Sequence, residues 1–307
     1  MNKDTVIIIV GATCVGKTAL SLILAEQLNG EIVSADSRQI YKEMDIGTDK
    51  PSEEIRKKVK HHMIDIVYPD EYYSAGRYGK EAKEIIDRLI SDGKFPIVVG
   101  GAGLYIRALT DGIFPELKKD YTIKKYLREK VGKEGINGLY SYLEKIDPES
   151  AVRLNPLDKQ RIVRAVEVYE VLGKPLSELL KIESHPLNHK ILFIGLERNR
   201  TELYHKIEKR IDGMIQKGLV EEVKILREKG YHRELDSMRA LGYREVHQYL
   251  DNEFSLEEAI KLMKRKSRNY AKRQITWFKK IENIKWFHLS EDDKLENIAD
   301  FVMKITD

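Results

Sequence analysis

A single cysteine, Cys14, stands in the 307 residues of this chain. That excludes an intramolecular disulfide framework and any zinc site built on cysteines. Long apolar runs are missing too. The first, Val6 to Val10, falls far short of the ~18 residues that a membrane helix needs, so no membrane attachment is expected. It follows Met1-Asn2-Lys3-Asp4 and runs directly into glycine, which is not the pattern of a secretory leader; a cytoplasmic protein is expected. Nor does one sign of charge prevail. Fifty-four basic and 50 acidic residues leave a net charge of +4, too balanced for indiscriminate binding of polyanions. Any contact with nucleic acid must then come from a local patch. The sequence also has no internal repeat and no low-complexity tract.

What is present alternates. Thr5 to Val10, Glu31 to Ala35 and Phe95 to Val99 read as buried strands, with helical runs at Ala19 to Leu28 and Ser74 to Ile90 between them. Such alternation predicts a parallel sheet covered by helices. From Phe114 to Pro186 strand signals vanish and helical runs take over, punctuated by Pro148, Pro156, Gly173 and Pro175. A strand pattern returns at Lys190 to Leu196, long helices follow, and Lys285 to Leu289 closes as a short strand. The expected architecture is α/β: a P-loop NTPase-like core over 1–113 and 189–307, with an all-helical subdomain inserted over 114–188.

Gly11-Ala12-Thr13-Cys14-Val15-Gly16-Lys17-Thr18 fits the phosphate-loop pattern G-x-x-x-x-G-K-[ST], after a strand and before a helix. Glycines let successive backbone N–H groups curl around an anion, and the following helix adds its positive end. Lys17 supplies a point charge and Thr18 a hydroxyl suited to Mg²⁺. The loop implies a diphosphate or triphosphate; ATP-binding is a label the motif attracts, but the loop itself does not specify ATP. Asp36 ends the second strand, where ligands of open α/β sheets bind. There it can hold Mg²⁺ or take a proton, or equally cap its own turn. The strand Phe95 to Val99 ends in Gly100-Gly101-Ala102-Gly103 rather than an acid, which counts against an ATPase. Lys264 to Lys280 carries eight basic residues and no acidic one. On a helix, Lys264, Arg268 and Lys272 share a face, while Tyr270, Trp277 and Ile281 form a stripe expected to turn inward. The basic face suits RNA phosphates or plain solvent. Further basic sets lie at Gln160-Arg161-Ile162-Val163-Arg164, at Lys124-Lys125, and at Arg239 and Arg244.

Together these segments resemble a known family. The phosphate loop, Ser34 to Tyr41, Met44 to Thr48, Lys50-Pro51, His61 to Asp65, Val99 to Tyr105, Gln160 to Ala165 and Ala271 to Phe278 are similar, in order, to the bacterial tRNA dimethylallyltransferases. The resemblance implies transfer of a dimethylallyl group from its diphosphate to the exocyclic N6 amine of the adenosine immediately 3′ of the anticodon. It implies Mg²⁺ held through Thr18 and the diphosphate, tRNA as partner, and a monomer. Asp36 is then the general base, Thr13 and Lys17 serve the leaving group, and Gly11 to Thr18 cradle the diphosphate. The RNA contacts implied are Asp36, Ser37, Arg38, Gln39, Ala102, Lys124, Gln160 to Arg164, Arg239, Arg244, Lys264, Arg268, Lys272 and Arg273. The sequence departs from the family at Ala12, where proline is usual, at Ala102, where threonine is usual, and at Lys124, where arginine is usual. A P-loop small-molecule or nucleotide kinase is the alternative.

Overall fold

The computed structural model describes residues 4–112, 121–182, 186–290 and 293–306. Two compact units are present: one of Met1–Tyr73, Lys80–Ile106 and Asn188–Asp307, the other of Ser74–Gly79 and Arg107–Leu187.

The larger unit is built on a six-stranded sheet. In chain order the strands are β1 (Thr5–Gly11), β2 (Gly30–Ala35), β3 (His61–His62), β4 (Phe95–Gly100), β5 (Lys190–Arg198) and β6 (Lys285–Leu289). Their spatial order is β3-β2-β4-β1-β5-β6, and every pairing is parallel. β1 lies inside the sheet and is buried along its whole length, the environment that a continuous Val/Ile run satisfies. Each parallel pairing needs a crossover, and helices supply them. They include α1 (Lys17–Leu28) after β1, α2 (Glu53–Lys58) before β3 and α3 (Ala75–Ser91) before β4. After β4 comes α4 (Gly103–Thr110). The α/β architecture with a parallel sheet is the one expected from the sequence. β3 is an addition: two residues carry too little periodicity to read.

The smaller unit is helical among its described residues. It contains α5 (Tyr121–Ile146), α6 (Pro148–Arg153), α7 (Lys159–Leu172) and α8 (Leu176–Ile182). Gly135 breaks the helical backbone of α5 at φ 70°, so α5 is two helical runs joined at a kink. Leu127, Leu139, Leu143, Ile162 and Val166 form the core. The buried Asp147 carboxylate accepts hydrogen bonds from Ser150 N at 3.0 Å, Ser177 N at 3.0 Å and Ser177 Oγ at 2.6 Å. It thereby caps α6 and pins the start of α8. Burying Ile162 corrects one expectation, because its side chain is core and cannot meet RNA.

The rest of the larger unit is α9 (Arg200–Gln216), α10 (Leu219–Glu228), a 3₁₀ turn at Ser237–Arg239, α11 (Tyr243–Leu250), α12 (Leu256–Phe278) and α13 (Leu295–Thr306). α12 packs on α9, α11 and β1. Its buried stripe is Ala259, Met263, Ser267, Ala271, Gln274 and Phe278. The inward stripe of Tyr270, Trp277 and Ile281 expected from the sequence is therefore corrected. Small residues, Met263 and Phe278 fill the buried stripe, while Tyr270 and Trp277 are half-buried beside it.

Candidate functional site

The phosphate loop is held from several directions. Gly11 has φ 145° and Gly16 φ 120°, and a Cβ on Gly11 would overlap the Leu196 carbonyl of neighbouring β5. Only glycine serves there. Cys14 also has positive φ, at 64°. Arg198 Nε donates to Val15 O at 3.1 Å. On the inner side Gln274 of α12 acts as a clamp. Its Oε1 accepts from Thr13 N at 2.9 Å and its Nε2 donates to Gly101 O at 3.0 Å. A Cβ on Gly101 would collide with that amide, so the glycine after β4 makes room for a clamp rather than for an acid.

Lys17 curls back over the loop, donating from Nζ to Gly11 O at 3.0 Å and Ala12 O at 2.8 Å. Burial pulls its pKa down to about 8, against the attraction of Asp36. Asp36 receives Arg38 N at 2.8 Å and Gln39 N at 3.4 Å on Oδ1. It caps its own turn, and this fixes the carboxylate, while Oδ2 makes no hydrogen bond among the described residues. The capping reading of Asp36 is thus met, and the same carboxylate lines the cavity beside the phosphate loop. Gln39 is tied down: its Nε2 donates to Thr48 O at 3.3 Å and Asp49 O at 3.2 Å, and Ser34 Oγ donates to its Oε1 at 3.2 Å. Its amide is consequently occupied rather than free to read a base.

Two cavities of about 350 Å³ each meet at this point. The first is lined by Thr13, Lys17, Thr18, Asp36, Gly100 and Gly101. The second is lined by Asp36, Ser37, Arg38, Arg239, Arg244 and Arg273. Thr13, Asp36, Thr48, Arg210 and Tyr270 belong to both. One cavity is an anion cradle, the other has an arginine rim, and Asp36 stands in their shared wall.

Membership follows from comparison with known proteins. The IPP transferase family matches residues 39–281. The chain belongs to the IPP transferase family. The tRNA dimethylallyltransferase of Alkaliphilus oremlandii is 46% identical over 303 residues, covering 98% of this chain and 97% of that protein. That of Thermotoga neapolitana is 45% identical over 301 residues, covering 97% of each. The crystal structure of the Bacillus halodurans tRNA isopentenylpyrophosphate transferase superposes with a TM-score of 0.72 at 37% identity, covering 99% of this chain and 97% of that one. A eukaryotic dimethylallyltransferase, captured acting on tRNA, gives a TM-score of 0.83 at 30% identity, covering 98% of this chain and 80% of the other. The chain is thus a transferase of the prenyl-transferring kind, and the kinase alternative lapses.

Within this family member the expected RNA contacts divide. Ser37, Arg38, Arg239, Arg244 and Arg273 gather around the second cavity, with the Arg273 guanidinium 5.7 Å from the Tyr270 ring. Ala102 follows β4, its N–H bonded to Ala35 O at 3.1 Å. In the helical unit, Arg161 pairs with Asp158 at 2.7 Å and Arg164 with Glu167 at 2.8 Å. Gln160 is exposed there and Val163 packs on the core. The Lys124 side chain lies outside the described residues. On α12 the expected free basic face is largely engaged, which corrects that reading. Lys264 lies 2.7 Å from Asp212, and Arg268 pairs with Glu208, both acids on α9. Lys272 remains exposed.

Sequence reasoning missed Arg210. It lines both cavities, reaches Asp49 at 3.3 Å, and has a buried Nε with no partner among the described residues. Nothing in Lys206-Ile207-Glu208-Lys209-Arg210 distinguishes it from a solvated helix charge. Tyr270, which lines both cavities, was missed as well. Burial raises its phenol up to about 12, with Asp36 adding to the effect. It stays protonated and can donate.

Proposed function

We propose that this enzyme transfers a dimethylallyl group from dimethylallyl diphosphate to N6 of the adenosine immediately 3′ of the anticodon of tRNA, releasing diphosphate. The observation that carries the reading is the position of Asp36 in the wall common to the anion cradle and the arginine-rimmed cavity. The diphosphate occupies the cradle, where the loop N–H groups, Lys17 and Arg210 meet the charge that grows on it as the allylic C–O bond breaks. The Thr13 hydroxyl sits beside the leaving oxygen. The adenine turns out of its stack into the second cavity, and Arg38, Arg239, Arg244 and Arg273 take flanking phosphates. N6 bonds to the allylic carbon, the C–O electron pair leaves with the diphosphate, and the N6 proton passes to Asp36 Oδ2.

Thr18, exposed at the head of α1 and facing the cradle, would hold Mg²⁺ together with diphosphate oxygens. Among the described residues no three acids, histidines or cysteines group as a metal site, and diphosphate oxygens and water would complete the coordination. The ion supplies neutralisation of the leaving group. No helix among the described residues is long and apolar enough to cross a membrane. The enzyme acts as a cytoplasmic monomer on the anticodon stem-loop of tRNA.

The test is incubation with unmodified tRNA, labelled dimethylallyl diphosphate and Mg²⁺, followed by nucleoside analysis. Label in N6-dimethylallyladenosine at that one position is expected. Label elsewhere, or none while ATP is consumed, overturns the reading.

A further inference from the structure

Along α9 and its C-cap Lys217, Glu208 and Asp212 lie on a different face from Lys206, Lys209, Arg210 and Lys217, and Glu202 is engaged by Arg198. Glu208 and Asp212 turn to α12, where Arg268 and Lys264 neutralise them. Lys206, Lys209, Arg210 and Lys217 line a separate cavity of about 500 Å³ beside the loop Asp45–Lys50. The two acids in its wall are already matched. Asp45 lies 2.7 Å from the buried Lys50 ammonium, and Asp49 lies 3.3 Å from Arg210. Lys206, Lys209 and Lys217 have no ion-pair or hydrogen-bond partner among the described residues. Three positive charges are therefore uncompensated, in a groove that meets both reaction cavities at Arg210.

The floor of the groove is Gly213, where an added Cβ would meet nothing within 4 Å. A glycine inside a helix costs about 1 kcal/mol relative to alanine, and here its effect is to leave the groove open. From Lys206 to Lys217 the stripe runs roughly 16 Å along the helix axis at about 1.5 Å per residue. That is several times the reach of one phosphate group, so its length matches a run of phosphodiesters rather than a single small anion. Lysines act on phosphate as point charges and read no base.

We infer that this face of α9 is a phosphate-backbone contact for the RNA substrate, outside the reacting site. The inference rests on the proposed function for the identity of the RNA, and its chemistry predicts affinity without sequence preference.

The experiment compares wild type with the triple variant Lys206→Gln, Lys209→Gln, Lys217→Gln in filter binding of unmodified tRNA across a salt series. Three lost contacts at about 0.7 each should flatten the log–log salt slope by roughly two units. Affinity near 0.1 M salt should fall on the order of tenfold to a hundredfold, while KM for the prenyl donor stays unchanged. Gly213→Glu, which adds an acid to the open floor and leaves the lysines in place, should weaken tRNA binding in the same direction. An unchanged slope and affinity in both variants, with circular dichroism intact, overturns the proposal. So does unchanged tRNA binding with weakened inhibition by inorganic diphosphate, which would make the groove a small-anion pocket. A wild type that binds tRNA through this groove yet transfers no prenyl group sinks the activity reading and leaves the groove standing.

Discussion

Lys17 and the α12 residues Lys264 and Arg268 are all cations expected from the sequence to meet phosphate, yet they are held in opposite ways. Lys17 Nζ rests on two backbone carbonyls, Gly11 O and Ala12 O. Lys264 and Arg268 rest on carboxylates of α9. A carbonyl dipole steadies an ammonium without cancelling its charge, so an arriving diphosphate still meets a full cation. A carboxylate cancels it, so an arriving phosphate must compete with a partner already in place. Availability to an anion is thus a property of the partner as much as of the cation. By the same criterion, the free lysines of α9 are better placed for RNA than the denser basic run of α12.

The comparison can be tested at several strengths, beginning with its chemical centre. Asp36→Ala should keep donor and tRNA binding but lower kcat by ~10²–10⁴-fold, the usual worth of a general base; single-turnover kinetics at saturation read this. A variant within threefold of wild type removes Asp36 from the role of base. Lys17→Ala should cost on the order of 10²–10³-fold in kcat/KM for the donor and leave tRNA affinity intact by filter binding. Loss of tRNA affinity with normal donor saturation would break the contrast with α12.

Next in size is a pH effect. Burial lowers Lys17 to about 8, below its ordinary value, so the empty cradle loses its cation as pH rises through that point. The value of kcat/KM for the donor should fall about tenfold per unit above it. A bound diphosphate holds the proton on, so kcat should persist to higher pH. A profile of kcat/KM flat to pH 10 contradicts the burial argument.

Gln274→Leu removes the clamp and orphans Thr13 N and Gly101 O, at about 1–3 kcal/mol for each buried group left unpaired. Chemical denaturation should show that loss together with a raised KM for the donor. An unchanged midpoint would mean that the loop holds itself. The smallest effect belongs to the paired cations. Lys264→Ala with Arg268→Ala should change tRNA affinity less than twofold and stability by only ~0.2–1 kcal/mol per pair, since both are partly exposed. The complementary double variant Glu208→Ala with Asp212→Ala frees both cations and should steepen the salt slope by up to about 1.4 units if the face then reaches RNA.

Much of this molecule was legible because its signals are local. The phosphate loop needs its glycines within eight residues and a strand and helix on either side, all contiguous in sequence. The continuous apolar run of β1 marks a strand buried on both faces. The helical runs either side of Gly135 read as two, and the backbone does break there. Asp36 was visible as a strand-end acid able to cap its own turn, which Oδ1 does, though not as a wall shared by two cavities.

Other features depend on what lies opposite, and for these the chain alone holds no clue. Arg210 looks like any charge of α9 until folding seals its Nε between cavities. Gln274 is a polar residue in a basic helix until Thr13, 261 residues away in sequence, donates to it. The basic face of α12 looked free because its neutralising acids sit on another helix. Composition, loop chemistry and strand periodicity are therefore set by the sequence itself, since they depend on bonded neighbours. Which charge is spent on a partner, which ring turns inward, and which acid meets two cavities are decided only by the tertiary fold. Electrostatic pairing and burial act through space, and only folding brings their partners together.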